Sequence, residues 1–177
     1  MAELNDKRML IFLTGFMGSG KSSIGRKLAY KLGFNFIDLD ELIEHKTGKR
    51  IAAIFKEDGE GKFRQIEHGC LKDTFSYENS VIATGGGTPC FYNNMELINR
   101  YGISVYIKLN PGILASRLFS DKENRPLIKK YSDKRELQLF VEDCLGKREK
   151  FYLQSKFTVE GKDISAKKII EKLSGAV

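Results

Sequence analysis

The segment Gly15-Phe16-Met17-Gly18-Ser19-Gly20-Lys21-Ser22 is a complete G-x-x-x-x-G-K-[ST] phosphate loop, and it follows directly on the apolar run Met9-Leu10-Ile11-Phe12-Leu13-Thr14. Such a loop works only between a strand and a helix, which confines the chain to an α/β fold. Each position meets a physical demand. The glycines let successive backbone N–H groups converge on phosphate oxygens, Lys21 reaches the β and γ oxygens of a nucleoside triphosphate, and Ser22 offers a hydroxyl to Mg²⁺. Gly18, Ser19, Gly20, Lys21, Ser22 and Ser23 are therefore the expected nucleotide-facing residues. Residues 22–32 read as the helix whose positive end faces that charge.

A chain of 177 residues suits one domain with its own core, and 1–177 shows no linker, internal repeat or low-complexity stretch. Hydrophobic content of 41% and charged content of 30% are ordinary for a soluble globular protein, and no apolar run approaches the roughly 20 residues that span a bilayer. The mixed charge of residues 1–8 is unlike a secretory signal, so a cytoplasmic location is expected. Cys70, Cys90 and Cys144 are odd in number and form no C-x-x-C pair, which fits reduced thiols rather than a disulfide frame or a zinc site.

The net charge of +7 would suit nucleic acid if it were clustered. Lys129-Lys130 and Lys167-Lys168 are the only Lys-Lys pairs, and Lys147-Arg148 is flanked by Glu142, Asp143 and Glu149. The dispersed excess fits solvated helix faces and an enzyme of anionic substrates, with neither nucleic acid nor membrane as partner. A monomer is expected.

Apolar, β-branched runs at 9–14, 34–38, 81–84, 104–109 and 157–159 read as strands. Between and after them, 41–45, 50–56, 62–75, 93–100, 112–119, 134–152 and 165–173 read as helices, with Asn94, Asp133 and Asp163 placed as caps. This is the βα rhythm of a parallel sheet. The polar segment 120–132 is long for a connection in a small α/β domain, and in a phosphoryl-transfer enzyme it suits a lid that brings Arg125 to the transferring group.

Asp38 and Asp40 close the second strand, where open α/β sheets bind ligands; one suits magnesium and the other an acceptor hydroxyl, while Asp40 also reads as a cap of the next helix. Gly85-Gly86-Gly87 follows the third strand and lets backbone approach a ligand closely. Thr84 stands where a second magnesium carboxylate is usual, which leaves Asp38 for that task. Arg64 and Arg148 carry the planar fork that fits a carboxylate, so their convergence would predict an acidic acceptor. His45 and His68 lack partner patterns and read as surface residues.

Taken together, Gly15 to Ser22, Asp38-Leu39-Asp40, Asp58-Gly59-Glu60, Phe63-Arg64, Ile66-Glu67, Gly85-Gly86-Gly87, Asn124-Arg125-Pro126-Leu127 and Arg148 with Tyr152 resemble the shikimate kinase family over nearly the whole chain. The resemblance implies a three-layer, nucleoside-monophosphate-kinase-like fold, with a five-stranded parallel sheet in the order 2-3-1-4-5. It also implies a shikimate-binding region at about 39–68, a lid at about 120–132, and phosphorylation of the shikimate 3-hydroxyl by ATP with Mg²⁺.

By likeness, Lys21, Asp40 and Arg125 are catalytic, Asp40 being the candidate base. Arg64 and Arg148 hold the carboxylate, Glu67 orients Arg64, and Gly85, Gly86 and Gly87 line the pocket. Phe55, Phe63, Pro126 and Leu127 form its apolar wall, Ser22 and Asp38 serve magnesium, and Arg117 with Arg125 serves ATP. A related small-molecule kinase such as gluconate kinase, and a nucleic-acid-binding NTPase, are the alternatives.

Overall fold

The computed structural model describes residues 9–122 and 128–175. Five strands, β1 (Leu10–Thr14), β2 (Asn35–Asp38), β3 (Ser80–Ala83), β4 (Ile103–Lys108) and β5 (Phe157–Glu160), form one sheet in the order β2-β3-β1-β4-β5, with every pair parallel. Between and after them lie α1 (Lys21–Leu32), α2 (Leu39–Thr47), α3 (Ile51–Glu57), α4 (Gly59–Thr74), α5 (Asn94–Tyr101), α6 (Pro111–Ser120), α7 (Lys134–Tyr152) and α8 (Ala166–Ser174).

All five residues of β1 are buried, as expected of a strand covered on both faces. Its side chains alternate. Leu10 and Phe12 join Ile82, Leu39, Ile43, Ile54, Leu71 and Ile98 on the side of α2 to α5, while Ile11 and Leu13 join Val81, Val105, Ile107, Leu28 and Ile169 on the side of α1 and α8. A third core, of Phe16, Tyr106, Leu114, Leu118, Leu137, Val141 and Tyr152, joins α6 to α7 beside the carboxyl edge of the sheet.

Every strand read from the sequence forms, as does every helix. The caps differ. Asp133 does accept from the backbone N–H of Arg135 at the start of α7. At α8 the cap is Ser165, not Asp163: its hydroxyl accepts from Lys168 N–H at 3.3 Å. At α5 the capping position belongs to Asn93, and Asn94 is instead a buried residue of the first turn whose side chain bonds elsewhere. Missed was Asn110, which accepts from Gly112 N–H at 2.8 Å ahead of Pro111.

Among the described residues no helix is long and apolar enough to cross a membrane, and the three cysteines are free. Several of the dispersed basic residues lie in exposed ion pairs, among them Arg26 with Glu41, Lys46 with Asp73 and Lys147 with Asp143.

Because Ser165 makes the cap bond of α8, Ser165→Ala should cost about 1 kcal/mol and lower Tm by about 2–4 °C. Asp163→Ala should move Tm by less than about 1 °C. Thermal denaturation of the two variants side by side checks the assignment.

Candidate active site

The turns after β1, β2 and β3 all open at the carboxyl edge of the sheet, where α6 approaches from the far side. Between them lies a cleft of about 490 Å³, lined by Met17, Gly18, Gly20, Lys21, Ser22 and Ser23, by Asp38 and Asp40, by Thr84, Gly85 and Gly86, and by Arg117, Leu118 and Asp121. β1 is the centre of the sheet, with β3 on one side and β4 on the other, so its loop emerges in the middle of that edge.

Gly15 makes the exit from β1 feasible. Its φ is 136°, and a Cβ there would lie 2.7 Å from the carbonyl oxygen of Ile107 in β4. Lys21 then reaches back from α1, its Nζ donating to the carbonyls of Gly15 at 2.8 Å and Phe16 at 2.9 Å. Ser19 Oγ is buried with no hydrogen-bond partner among the described residues, an unmet polar group inside the loop. Arg117 comes across from α6, its Nη1 3.5 Å from the Ser19 carbonyl.

Two carboxylates meet the loop from β2. Ser22 donates its hydroxyl to Asp38 Oδ2 at 2.5 Å, and Asp38 Oδ1 accepts from Asp40 N–H at 3.1 Å. The sequence expectation of two carboxylates on one extended segment needs correction. β2 stops at Asp38, which is itself the cap of α2, and Asp40 lies in the first helical turn; the helix, not the strand, turns it into the cleft. Ser22 and Asp38 supply adjacent hard oxygen donors, a set that fits Mg²⁺, which takes one or two protein oxygens and completes its shell with phosphates and water.

Asp40 has surface open to the cleft, yet protein surrounds the rest of its carboxyl. That desolvation, with the charges of Asp38 and Glu67, raises its pKa to about 6 against the opposing pull of Lys21 and Arg64.

Around the glycine triplet the side chains are packed tightly. None of the three glycines has a positive φ, so what they supply is space. A Cβ on Gly87 would lie 2.6 Å from Arg64 Nη1, and one on Gly85 would crowd Glu67, Thr88 and Asp40 at 2.9 to 3.0 Å. The triplet is glycine because the protein's own acidic and basic groups close on it.

Arg64 donates from Nη1 to Glu67 Oε2 at 2.8 Å and from Nε and Nη2 to Glu60 Oε1 at 3.2 and 3.0 Å. Five N–H donors less these three bonds leave two. The rings of Phe91, Phe63 and Phe55 lie 4.0, 5.0 and 6.0 Å from its guanidinium carbon.

Arg148 reaches the same loop from α7. On the same helix, the Tyr152 hydroxyl donates to the Gly86 carbonyl at 2.5 Å, and burial raises the Tyr152 pKa against the pull of the Arg148 charge, so that this proton stays in place. No carboxylate among the described residues pairs with Arg148. Burial pushes the Cys90 thiol up to about 11, while the Arg148 and Arg64 charges both draw it down. Arg64 thus lies against Gly87, and the helix that carries Arg148 meets Gly86 through Tyr152.

The profile of the family described as shikimate kinase matches residues 17–176. The chain belongs to the shikimate kinase family. It is similar to a curated shikimate kinase of Azobacteroides pseudotrichonymphae, 47% identical over 164 residues, which are 92% of this chain and 96% of that one. Among solved structures, the shikimate kinase of Bacteroides thetaiotaomicron superposes with a TM-score of 0.87 at 37% identity, covering 96% of this chain and 98% of that one. An Acinetobacter baumannii shikimate kinase in complex with shikimate superposes with a TM-score of 0.83 at 34% identity, covering 97% and 93%. The strand order expected from the family resemblance is the one observed.

Of the residues that the family likeness marks, Lys21, Ser22, Asp38, Asp40, Gly85, Gly86 and Arg117 line this cleft. Arg64 and Glu67 pack against Gly87 and Gly85, and Phe55 and Phe63 lie beside the Arg64 guanidinium. Arg148 is on α7, whose Tyr152 bonds to Gly86. Arg125, Pro126 and Leu127 lie outside the described residues. His45 is exposed as expected, but His68 is not a surface residue. It is half-buried, bonded to Asn94, with its ring tilted against that of Tyr92 at 4.9 Å between centroids. Sequence reasoning also missed Phe91 and Thr88. The available signal was their position, immediately after a glycine triplet that ends a buried strand.

The raised pKa of Asp40 makes a stability prediction. A carboxyl whose pKa is higher folded than unfolded contributes stability at low pH that is lost as pH rises toward about 6. Asp40→Asn should therefore be more stable than the parent at pH 8, with the advantage vanishing below about pH 4, near the carboxyl's unfolded pKa. Denaturant titrations at both pH values check this, and an advantage that is equal at both would contradict it.

Proposed function

We propose that the chain transfers the γ-phosphoryl group of ATP to the 3-hydroxyl of shikimate, with the loop 15–22 holding the donor and the Asp40, Arg64 and Arg148 side of the cleft holding the acceptor. One observation carries this reading: in a member of the shikimate kinase family, the phosphate loop, Asp40 and the glycine triplet line one cleft, and Arg64 packs against Gly87 at the end of that triplet.

Phosphoryl transfer asks for position and charge rather than covalent help. The loop N–H groups and Lys21 receive the β and γ phosphates, for which Lys21 exchanges its carbonyl partners for phosphate oxygens. The buried Ser19 hydroxyl gains the partner it lacks. Arg117 borders the nucleotide side. Mg²⁺, held at Ser22 and Asp38, would neutralise phosphate charge.

On the acceptor side Arg64 and Arg148 take the carboxylate, with Phe55 and Phe63 as apolar wall and Gly86 and Gly87 beneath. Asp40 orients the 3-hydroxyl and receives its proton; a pKa of about 6 leaves it ionised at neutral pH yet basic enough to accept. The sequence places Arg125, Pro126 and Leu127 in a lid at about 120–132 that would close on the transferring group. One chain supplies the whole described site, which supports a monomer, and the three free thiols suit a reducing cytoplasm. The relatives give no support to gluconate kinase.

Lys21→Ala should reduce kcat by about 10²–10³-fold. Arg64→Ala or Arg148→Ala should raise the KM for shikimate by about 10–100-fold while leaving the KM for ATP within about twofold. ADP release measured with shikimate, gluconate and nucleoside monophosphates in parallel tests the whole reading, which stands only if shikimate is the acceptor used.

A further inference from the structure

Behind Arg64 lies a set of polar side chains that the transfer reaction does not itself call on. Glu67 spends one oxygen on Arg64; the other, Oε1, accepts from the Thr88 hydroxyl at 2.6 Å. The carbonyl of Thr88 accepts from Asn94 Nδ2 at 2.8 Å, and Asn94 Oδ1 faces His68 Nδ1 at 2.6 Å. His68 follows Glu67 on α4, so the bonds close a ring through α4, the turn after the glycine triplet, and α5.

The chemistry fixes the direction of each bond. A carbonyl can only accept, so Asn94 presents its amide nitrogen to Thr88 and its oxygen to His68. Nδ1 of His68 is then the donor, which holds whether the ring is neutral or charged. Glu67, Thr88 and Asn94 are each at most 1% exposed. In such surroundings an unpaired carboxylate oxygen is costly, and a satisfied network is rigid.

We propose that Thr88, Asn94 and His68 are positioning residues for the acceptor acid: they fix the Glu67 carboxylate, and Glu67 in turn fixes the plane of the Arg64 guanidinium. Without the Thr88 hydroxyl, Glu67 Oε1 is left to turn toward another donor, and Arg64 Nη1 follows it. The same turn carries Gly87, against which the guanidinium packs, so the network also sets the gap between Arg64 and the glycine loop. The inference rests on Arg64 being the carboxylate anchor.

Thr88→Val keeps the shape of the side chain and deletes the hydroxyl. It should raise the KM for shikimate about tenfold, leaving kcat and the KM for ATP within about twofold. Thr88→Ser should restore the parent value. His68→Phe, at the half-buried end of the ring, keeps a ring beside Tyr92 and removes the Nδ1 donor; it should raise the same KM by about two- to fivefold, and serves if the Thr88 variant folds poorly.

The decisive comparison is the double variant. If Thr88 acts through Arg64, adding Thr88→Val to Arg64→Ala should change the KM for shikimate by less than about twofold. A full tenfold effect in that background, a parallel rise in both KM values, or a parent-like KM for shikimate in both Thr88→Val and His68→Phe would overturn the proposal. Should Arg64→Ala raise that KM while those two variants do not, only this inference fails. An unchanged KM in Arg64→Ala itself would remove the anchor and this inference with it.

Discussion

The parallel pairing of β1 with β3 on one side and β4 on the other is the constraint from which the site follows. A strand hydrogen-bonded along both edges and buried on both faces cannot shift without breaking two ladders and two cores, so the loop that leaves it starts from a fixed point. Gly15 shows how tight the exit is, because the Ile107 carbonyl occupies the space a side chain would need. From that point α1 runs back, Lys21 spans its own loop, and Ser22 meets Asp38 at the end of β2. Convergent N–H groups at a helix start bind phosphate well only when they do not have to be ordered first. Here the ordering is done by folding.

The acceptor half works against folding in one respect. Asp40 is desolvated at the cleft and has Asp38 and Glu67 as neighbouring carboxylates, and it responds with a raised pKa. A chain optimised for stability alone would remove Asp40 or neutralise it. Arg64 and Lys21 offset the rise only in part, and a carboxyl tuned this way is suited to accept a proton near neutral pH. Glu67 is treated differently: two donors, the Arg64 guanidinium and the Thr88 hydroxyl, satisfy it on both oxygens. Of these two neighbouring acids, one is held on both oxygens as a fixed partner, and the other keeps surface open to the cleft.

How much could be read from the chain depends on whether a feature is local. The strands were legible because burial on both faces writes a continuous apolar run, as in Leu10 to Leu13, and the phosphate loop because its contacts are made by neighbouring residues. The family likeness supplied the identities of Arg64, Glu67 and Arg148, but not how their helices reach the glycine triplet. That required packing α4 and α7 against the turn after β3. Asp163, two residues upstream of Ser165, has equally good cap chemistry in the sequence, and only the path of the chain decides between them. Asn94 and His68 were misread for a related reason: they are 26 positions apart, and nothing in spacing marks a buried pair. Arg64, Glu67 and His68 do share one face of α4 at i, i+3 and i+4, which was the one available hint that His68 belonged with them.

Glycine at 87 ties these threads together. In the sequence the triplet reads as room for a ligand, and in the structure the room is filled by Arg64 against Gly87 and by Met17 N–H near Gly86. The loop therefore touches both halves at once: Gly86 lies against the phosphate loop and takes the Tyr152 hydroxyl, while Gly87 lies against Arg64. A side chain at either position would push donor and acceptor machinery apart. For an in-line transfer between two bound molecules, a displacement of about 1 Å is enough to cost much of the rate, so a loop with no side chains to push the two halves apart suits that chemistry.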